Sequence, residues 1–252
     1  MTDYLALNDL ETRRFGVVAA KLDGSAGELP ELSRVGAEAR ARGIELVSTR
    51  VDCRAVGRVQ ALEDDGFRLM DCLVSYARAL ADIGPAPELP GSCVLRPADA
   101  GDVAAVGAVA RDAFRNYIGH YHADPRLPNA AADEAYVEWA ETCIGRDDTR
   151  VLVAAEGQRV RGFLALRRNG PAECDIVLNA VAPEAQRRGY YGALLAKALE
   201  EARSQGATRI VTSTQIGNLA VQRLWVRQGF VMTGAVYTLH RWYATPSAPR
   251  ER

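Results

Sequence analysis

Two stretches of this chain read as copies of one another. GIELVSTRVDCRAVGRVQALEDDGFRLM begins at Gly43, and GATRIVTSTQIGNLAVQRLWVRQGFVMT begins at Gly206. At an offset of 163 residues Gly43 falls on Gly206, Thr49 on Thr212, and Gly66-Phe67 on Gly229-Phe230. Each copy reads strand, helix, Gly-Phe, strand. Such a repeat must be found first, because missing it misreads the whole fold. Between the copies lies IGPAPELPGS, Ile83 to Ser92, with three prolines and two glycines. Proline and glycine at that density exclude a regular helix or a central strand, so a domain boundary is expected there. The expected division is a partial domain over residues 1–82, a linker over 83–92, a full domain over 93–243 and a disordered tail over 244–252.

Periodicity fills in the elements. The first part reads β-α-β-α-β: a strand over Gly16 to Ala20, a helix over Glu28 to Arg42, a strand over Ile44 to Val51, a helix over Arg54 to Asp64 and a strand over Phe67 to Arg78. Leu29, Leu32, Val35 and Ala39 make the apolar stripe of the first of these helices, and Gly66 closes the second. In the second part a short strand covers Val94 to Arg96. Asp99 is a candidate N-cap for a helix running to Arg115. A second helix covers Ala130 to Cys143. Val151 to Ala155 and Gly162 to Leu166 flank Glu156-Gly157-Gln158 as a hairpin. A strand over Cys174 to Val181, a helix over Arg188 to Gln205, a strand over Arg209 to Thr214, a helix over Asn218 to Gln228 and a strand over Phe230 to Tyr243 complete the order.

A hydrophobic content of 48% with 25% charged residues suits an ordinary globular protein. The net charge of −1 excludes a generally basic surface for nucleic acid. No apolar run reaches the length of a bilayer span, and the first residues lack the layout of a signal peptide, so the expected location is the cytoplasm. The five cysteines are scattered and never form C-x-x-C, which reads as free thiols rather than a zinc or redox site.

The segment AVAPEAQRRGYYGALLAKALEEA, Ala180 to Ala202, poses an electrostatic problem. Arg187 and Arg188 stand at the start of a helix, where the backbone already carries about half a positive charge. A bound anion resolves the conflict. The first-turn amides lack partners within the helix and point outward. Gly189 has no side chain to hold a phosphate away, and the two arginines add charged hydrogen bonds. The segment reads as a pyrophosphate site.

A loop of this kind after a strand, followed by helix, strand and N-x6-W-x3-G-F, resembles the GCN5-related N-acetyltransferase family. VAPEAQRRGYYGALL (Val181 to Leu195) and NLAVQRLWVRQGF (Asn218 to Phe230) carry the resemblance. It implies an α/β (α+β) fold: a mixed, mostly antiparallel sheet flanked by helices, preceded here by a partial copy. It also implies acetyl-CoA as co-substrate, with its pyrophosphate on Gln186, Arg187, Arg188, Gly189 and Tyr190. Tyr191 stands where glycine or alanine is usual in the family, and Gly192 follows at once. The linker, the repeat and TQIGNLAVQRLW are similar to a two-domain subgroup typified by dTDP-fucosamine acetyltransferases. That likeness implies the amine of a nucleotide-linked amino sugar as acceptor.

The resemblance implies direct attack by a neutral amine on the acetyl thioester. The strands before and after the loop's helix would part around pantetheine, with backbone groups of Leu178 and Val181 as its partners. Asp175 and Asn179 share one strand face and are the candidates for taking the amine's proton, although neither is a clear base. Trp225 stands where many relatives place a tyrosine acid. An indole N–H lacks useful acidity, so Trp225 is expected against cofactor or core, and Tyr191 is the candidate acid. Asn218 resembles a cofactor-contacting residue and is equally suited to capping its helix. Tyr117, His120, Tyr121, His122, Asp124 and Arg126 fall on the loop expected over the acceptor slot and are the substrate candidates. No metal is expected at H-x-H-x-D. Two other readings stay open: an N-acetyltransferase for peptide N-termini, and a non-catalytic acyl-CoA-binding module. The residues also leave open whether the first domain pairs two subunits into a homodimer or extends the sheet.

Overall fold

The computed structural model describes residues 4–24, 30–84, 91–115 and 117–243. Residues 85–90 of the expected linker, the expected tail, and Glu28 and Leu29 of the first expected helix lie outside the described residues. The first part contains β1 (Leu5–Leu7), α1 (Asp9–Phe15), β2 (Ala19–Leu22), α2 (Leu32–Ala41), β3 (Leu46–Asp52), α3 (Val56–Asp64) and β4 (Arg68–Ala79). The second contains β5 (Val94–Pro97), α4 (Val103–Phe114), α5 (His120–Ala123), α6 (Asn129–Cys143), β6 (Thr149–Glu156), β7 (Arg159–Arg168), β8 (Glu173–Val181), α7 (Tyr190–Ser204), β9 (Arg209–Gln215), α8 (Leu219–Arg227) and β10 (Val231–Trp242).

The local chemistry accounts for these limits. Asp99 accepts from the Gly101 amide at 2.8 Å, and Asp102 accepts from the Asp99 amide at 2.9 Å. This reciprocal capping opens a single 3₁₀ turn that runs into α4. Arg96 then grips the Asp102 carboxylate with two bonds of 2.6 and 2.8 Å, tying β5 to the helix start. The strand expected from Gly16 starts only at Ala19, because α1 comes first. Asn8 caps α1, acidic side chains fill its first turn and basic ones its last, and Gly16 ends it at a φ of 68°.

The ten strands among the described residues form one sheet in the order β1-β2-β3-β10-β4-β9-β8-β7-β6-β5. Only β2–β3 and β8–β9 are parallel. The repeat is visible to the residue: β3, α3 and β4 become β9, α8 and β10 when shifted by 163. The copies do not lie side by side, however. β10 sits between β3 and β4, and β4 sits between β10 and β9. Repeat-equivalent residues Leu73 and Val236 face each other across the β4–β10 pair. Outside them, Asp52 pairs with Val236 and Gln215 with Leu73, again an equivalent set. A local two-fold axis therefore passes between β4 and β10, and each copy gives its last strand to the other copy's sheet.

The exchange carries the cores with it. Val74, Tyr76 and Leu80 of the first part are buried in the core built mainly by β5–β9, α4, α6 and α7. Leu239 of β10 is buried with Leu5, Val35, Val47 and Leu62 of the first part. Alternate residues of a strand face opposite sides of its sheet. Lys21, Ser48 and His240 lie in register across β2, β3 and β10, so they share one face with Arg50. Because the cores share strands, the two parts are expected to unfold together. Leu239→Ala should lower the urea midpoint of a single transition by an amount equivalent to about 2–5 kcal/mol. Two resolved transitions, with only the first shifted, would count against that coupling.

Candidate active site

β8 and β9 are paired from Glu173–Arg209 to Ile176–Thr212 and no further. At that point the Thr212 hydroxyl donates to the Ile176 carbonyl at 3.1 Å. On the opposite edge of β8, Ala165 pairs with Leu178 and Leu166 with Ile176, which leaves Val177 as an extra residue. A bulge of this type bends its strand and sharpens its twist. From Val177 onward the edge of β8 that faces β9 has no strand partner, and a cavity of about 520 Å³ opens in the fork. Val177, Leu178 and Asn179 line one wall, and Ser213, Thr214 and Gln215 line the other.

After β8 the chain makes a 3₁₀ turn over Pro183–Ala185 and enters the Gln186–Gly189 loop. Gly189 is the N-cap of α7, with a φ of 90°. An added Cβ would meet nothing within 4 Å, so glycine is required here by backbone conformation rather than by crowding. Arg187 is also left-handed, with a φ of 60°. No side chain caps α7, so its first-turn amides have no partner within the helix and none from a cap. Gln186, Arg187 and Arg188 are exposed around that turn. The Gln186 amide donates to the Val181 carbonyl at 3.3 Å. Val181 itself pairs with Gly162 and does not line the cavity.

Three residues near this loop have side chains committed elsewhere. The Tyr190 ring is buried, and its hydroxyl donates to Glu156, which Arg161 also holds at 2.8 Å. Only the backbone of Tyr190 is left for a ligand at the turn. The Tyr191 hydroxyl accepts from the Trp225 indole N–H at 2.8 Å. Burial pushes the Tyr191 phenol far above its ordinary range, which makes it a poor proton donor to a thiolate. Trp225 is buried beside Tyr76 and Phe230, and its ring reaches the cavity wall. Asn218 also lines the cavity. It makes no capping bond, and instead its side chain donates to Thr214 Oγ1 at 3.1 Å. Gly192, half-buried, lies within the first turn of α7.

Asn179 lies on the cavity wall, whereas Asp175 does not. Asp175 sits on the paired stretch of β8, and its carboxylate binds Arg167 at 2.8 Å. The other end of the cavity is aromatic. Tyr117, His120 and Tyr121 line it, together with Tyr136, which stacks on Phe114 at 4.6 Å. Tyr117 lies 3.4 Å from Thr214 Oγ1, and Tyr121 donates to Glu11 at 2.9 Å. His122, Asp124 and Arg126 lie outside the lining. His122 meets Asp133 at 3.1 Å, Asp124 is buried against His240 and Trp242, and Arg126 lies over the Trp242 ring.

The first part of the chain completes this end. Leu10 and Arg14 of α1, Arg50 of β3 and Leu73 of β4 are all on the lining. Arg14 is neutralised by Glu138 at 2.8 Å. The Arg50 guanidinium has no hydrogen-bond or ion-pair partner among the described residues. Sequence reasoning missed Arg14, Arg50, Tyr136 and His240. A signal for α1 existed in its caps and charge order, but nothing local marks Arg50 or His240, which the strand exchange alone brings to the site.

Among the described residues, no three His, Cys, Asp or Glu side chains gather as metal ligands. All five cysteines are free. No helix among the described residues is long and apolar enough to cross a membrane.

A profile described as the acetyltransferase (GNAT) family matches residues 105–230, half of the chain. The chain is 32% identical over 151 residues to the spore coat polysaccharide biosynthesis protein SpsD of Bacillus subtilis. That match covers 59% of this chain and 50% of SpsD, so the chain spans about half the length of that relative. It is 27% identical over 198 residues to a dTDP-fucosamine acetyltransferase of Escherichia coli, covering 77% of this chain and 81% of that one. Among solved structures, a GCN5-related N-acetyltransferase from Sphaerobacter thermophilus superposes with a TM-score of 0.65 at 16% identity. It covers 96% of this chain and 76% of that one, and identifies the mixed, mostly antiparallel sheet as the GNAT fold.

The Trp225–Tyr191 bond provides a check on this geometry. Tyr191→Phe should cost about 1–3 kcal/mol of stability, because it leaves a buried indole N–H without an acceptor. Urea unfolding measures the cost, and a variant as stable as the parent would show that Trp225 finds another acceptor.

Proposed function

The chain belongs to the acetyltransferase (GNAT) family, and on that premise we propose that it moves acetyl from acetyl-CoA to a primary amine on a small acceptor. The observation that carries this reading is the parted β8–β9 fork beside an uncapped helix start. A diphosphate at the first turn of α7 would accept from amides that have no other partner, with Arg187 and Arg188 beside it. From Asn179 the fork leads toward the aromatic end of the cavity. A pantetheine arm laid along β8 would satisfy backbone groups between Val177 and Asn179 that no strand bonds. The same donors would oppose the negative charge that develops on the acetyl oxygen during attack.

Protonation of the leaving thiolate needs no dedicated acid in this reading. A thiol loses its proton near pH 8.5, and the positive end of α8 favours the anion. Trp225 and Tyr191 hold each other, so they shape the wall rather than exchange protons. Asp175 has no part in the chemistry, because Arg167 holds it away from the cavity.

A nucleotide-linked amino sugar is the acceptor that fits best. One relative is named for acetylating such a sugar and another for polysaccharide biosynthesis. The acceptor end combines aromatic faces with Arg50, a cation with no hydrogen-bond or ion-pair partner among the described residues. Phosphate on the acceptor would meet that need, and a neutral peptide backbone would not. Tyr117, just before α5, reaches Thr214 of the fork, and His120 and Tyr121 of α5 wall the same cavity, which favours a small acceptor over a through-running peptide.

Thiol release from acetyl-CoA, followed across amines that include nucleotide-linked and free amino sugars, tests the reading directly. Binding without turnover over the whole panel would favour a non-catalytic acyl-CoA module. Gly189→Glu should abolish acetyl-CoA binding, since it adds a carboxylate at the anion cradle and strains a left-handed residue. Calorimetry showing unchanged affinity in a folded variant would refute the cradle. Arg50→Ala should raise KM for a nucleotide-linked amino sugar about 10–100-fold, in line with one lost charged hydrogen bond. KM for the matching free sugar should stay within about twofold of the parent, and equal losses for both acceptors would remove Arg50 from phosphate recognition.

A further inference from the structure

The acetyl-transfer reading leaves the amine's proton without a destination, and a buried chain of hydrogen bonds supplies one. Asp124 Oδ2 lies 2.9 Å from His240 Nδ1, and His240 Nε2 lies 3.2 Å from His120 Nδ1. Asp124 and His240 are buried, while the His120 ring reaches the cavity wall. We propose that His120 is the general base of acetyl transfer, and that Asp124 and His240 are positioning residues that fix its free nitrogen toward the acceptor. This rests on the acetyl-transfer reading of the same cavity.

The tautomers follow from the partners. Asp124 also accepts from the Trp242 indole at 2.9 Å and from the Arg126 amide at 3.1 Å. Burial pushes its carboxyl up, but the bonds from His240, Trp242 and Arg126 outweigh burial and hold it below the ordinary value, so it is a carboxylate. A carboxylate only accepts, so His240 carries its proton on Nδ1. With one proton on that ring, Nε2 accepts, and His120 must donate from Nδ1. His120 Nε2 is then unprotonated, and it has no protein partner among the described residues. His122 is arranged the other way round. Its Nδ1 accepts from the Gly119 amide at 3.3 Å, and its Nε2–H donates to Asp133.

The groups around His120 keep it neutral. Burial is the main cause, followed by His240 of β10, Arg50 of β3, Lys21 of β2 and His122 of α5, and together they hold it well below the usual imidazole range. Tyr121 packs against the ring at 3.9 Å. Such a base is unprotonated at neutral pH but would hold an added proton weakly. The chain offsets that weakness. As the amine nitrogen bonds to the acetyl carbon, its proton passes to His120 Nε2, and the His120 Nδ1 proton moves to His240 Nε2. Positive charge then rests on His240 beside the Asp124 carboxylate. The C–S bond breaks with its electron pair on sulfur, the thiolate takes a proton from solvent, and the chain returns its own to solvent as product leaves.

The whole chain contains three histidines, so nitrogen-15 labelling of histidine reports on all of them. At pH 7, with signals assigned by single His→Gln variants, His120 and His240 should each be protonated on Nδ1 and His122 on Nε2. A proton on His120 Nε2, whether as the other tautomer or as imidazolium, overturns the proposal. Single-turnover transfer at saturating acceptor should fall about 10²–10⁴-fold in His120→Gln, with acetyl-CoA affinity unchanged by calorimetry. Added imidazole should restore part of the rate in His120→Ala. Transfer that His120→Gln leaves within about threefold of the parent overturns His120 alone. Absence of transfer to any amine by the unaltered chain overturns the acetyl-transfer reading, and this proposal with it.

Discussion

The site depends on two parallel strands that stop bonding. Backbone groups away from water must find partners, so a sheet does not open without compensation. Here the bulge at Val177 turns β8 aside just past the Ile176–Thr212 pair, and β7 still satisfies its other edge. The opening is stable because both walls are anchored. β9 is bonded to β4 along its whole length, from Arg209–Ala79 to Gln215–Leu73. A fork of this kind presents unpaired amides in a space lined by apolar and aromatic side chains, where each hydrogen bond to a ligand is stronger than in water. The uncapped start of α7 extends the same logic to charge, since it too offers donors that the protein itself does not use.

The strand exchange sets which part of the chain serves which end of the cavity. The fork end is lined by β8, β9 and α8 of the second part. The aromatic end draws on α1, β3 and β4 of the first part as well as on α5 and α6. The repeat therefore has a division of labour. The first copy lacks the arginine–glycine turn and contributes Arg50 and Leu73 to the wall instead. His240 belongs to the second copy by sequence but lies in the first copy's sheet, between β3 and β4, and so it can meet Asp124 from above.

Much of this fold is legible from residues alone. The offset of 163 read from Gly43, Thr49 and Gly66-Phe67 is the offset at which β3, α3 and β4 recur. Asp99 was readable as a cap because the chemistry is local, and the QRRGYY turn because its charges conflict with a helix start. The exchange was not readable. A strand's pattern states which face is buried but not which neighbour it pairs with. Arg50 and His240 look like ordinary polar positions on alternating strands, and they gain meaning only when β10 is placed beside β3. Asn218 shows the same limit on a smaller scale: its position suggested a cap, yet its side chain turns to Thr214 at the cavity wall.

The exchange also bears on how the chain is made. β10 is synthesised after every other described strand, yet it fills the middle of the sheet, with Trp242 paired to Leu46 almost two hundred residues upstream. Until it emerges, β3 and β4 each present an open edge, and the pocket that Leu239 fills is vacant. Contacts of such sequence separation form slowly, because a long loop must close before any bonding rewards it. The first part therefore stays half-built and adhesive until a strand made well after it arrives.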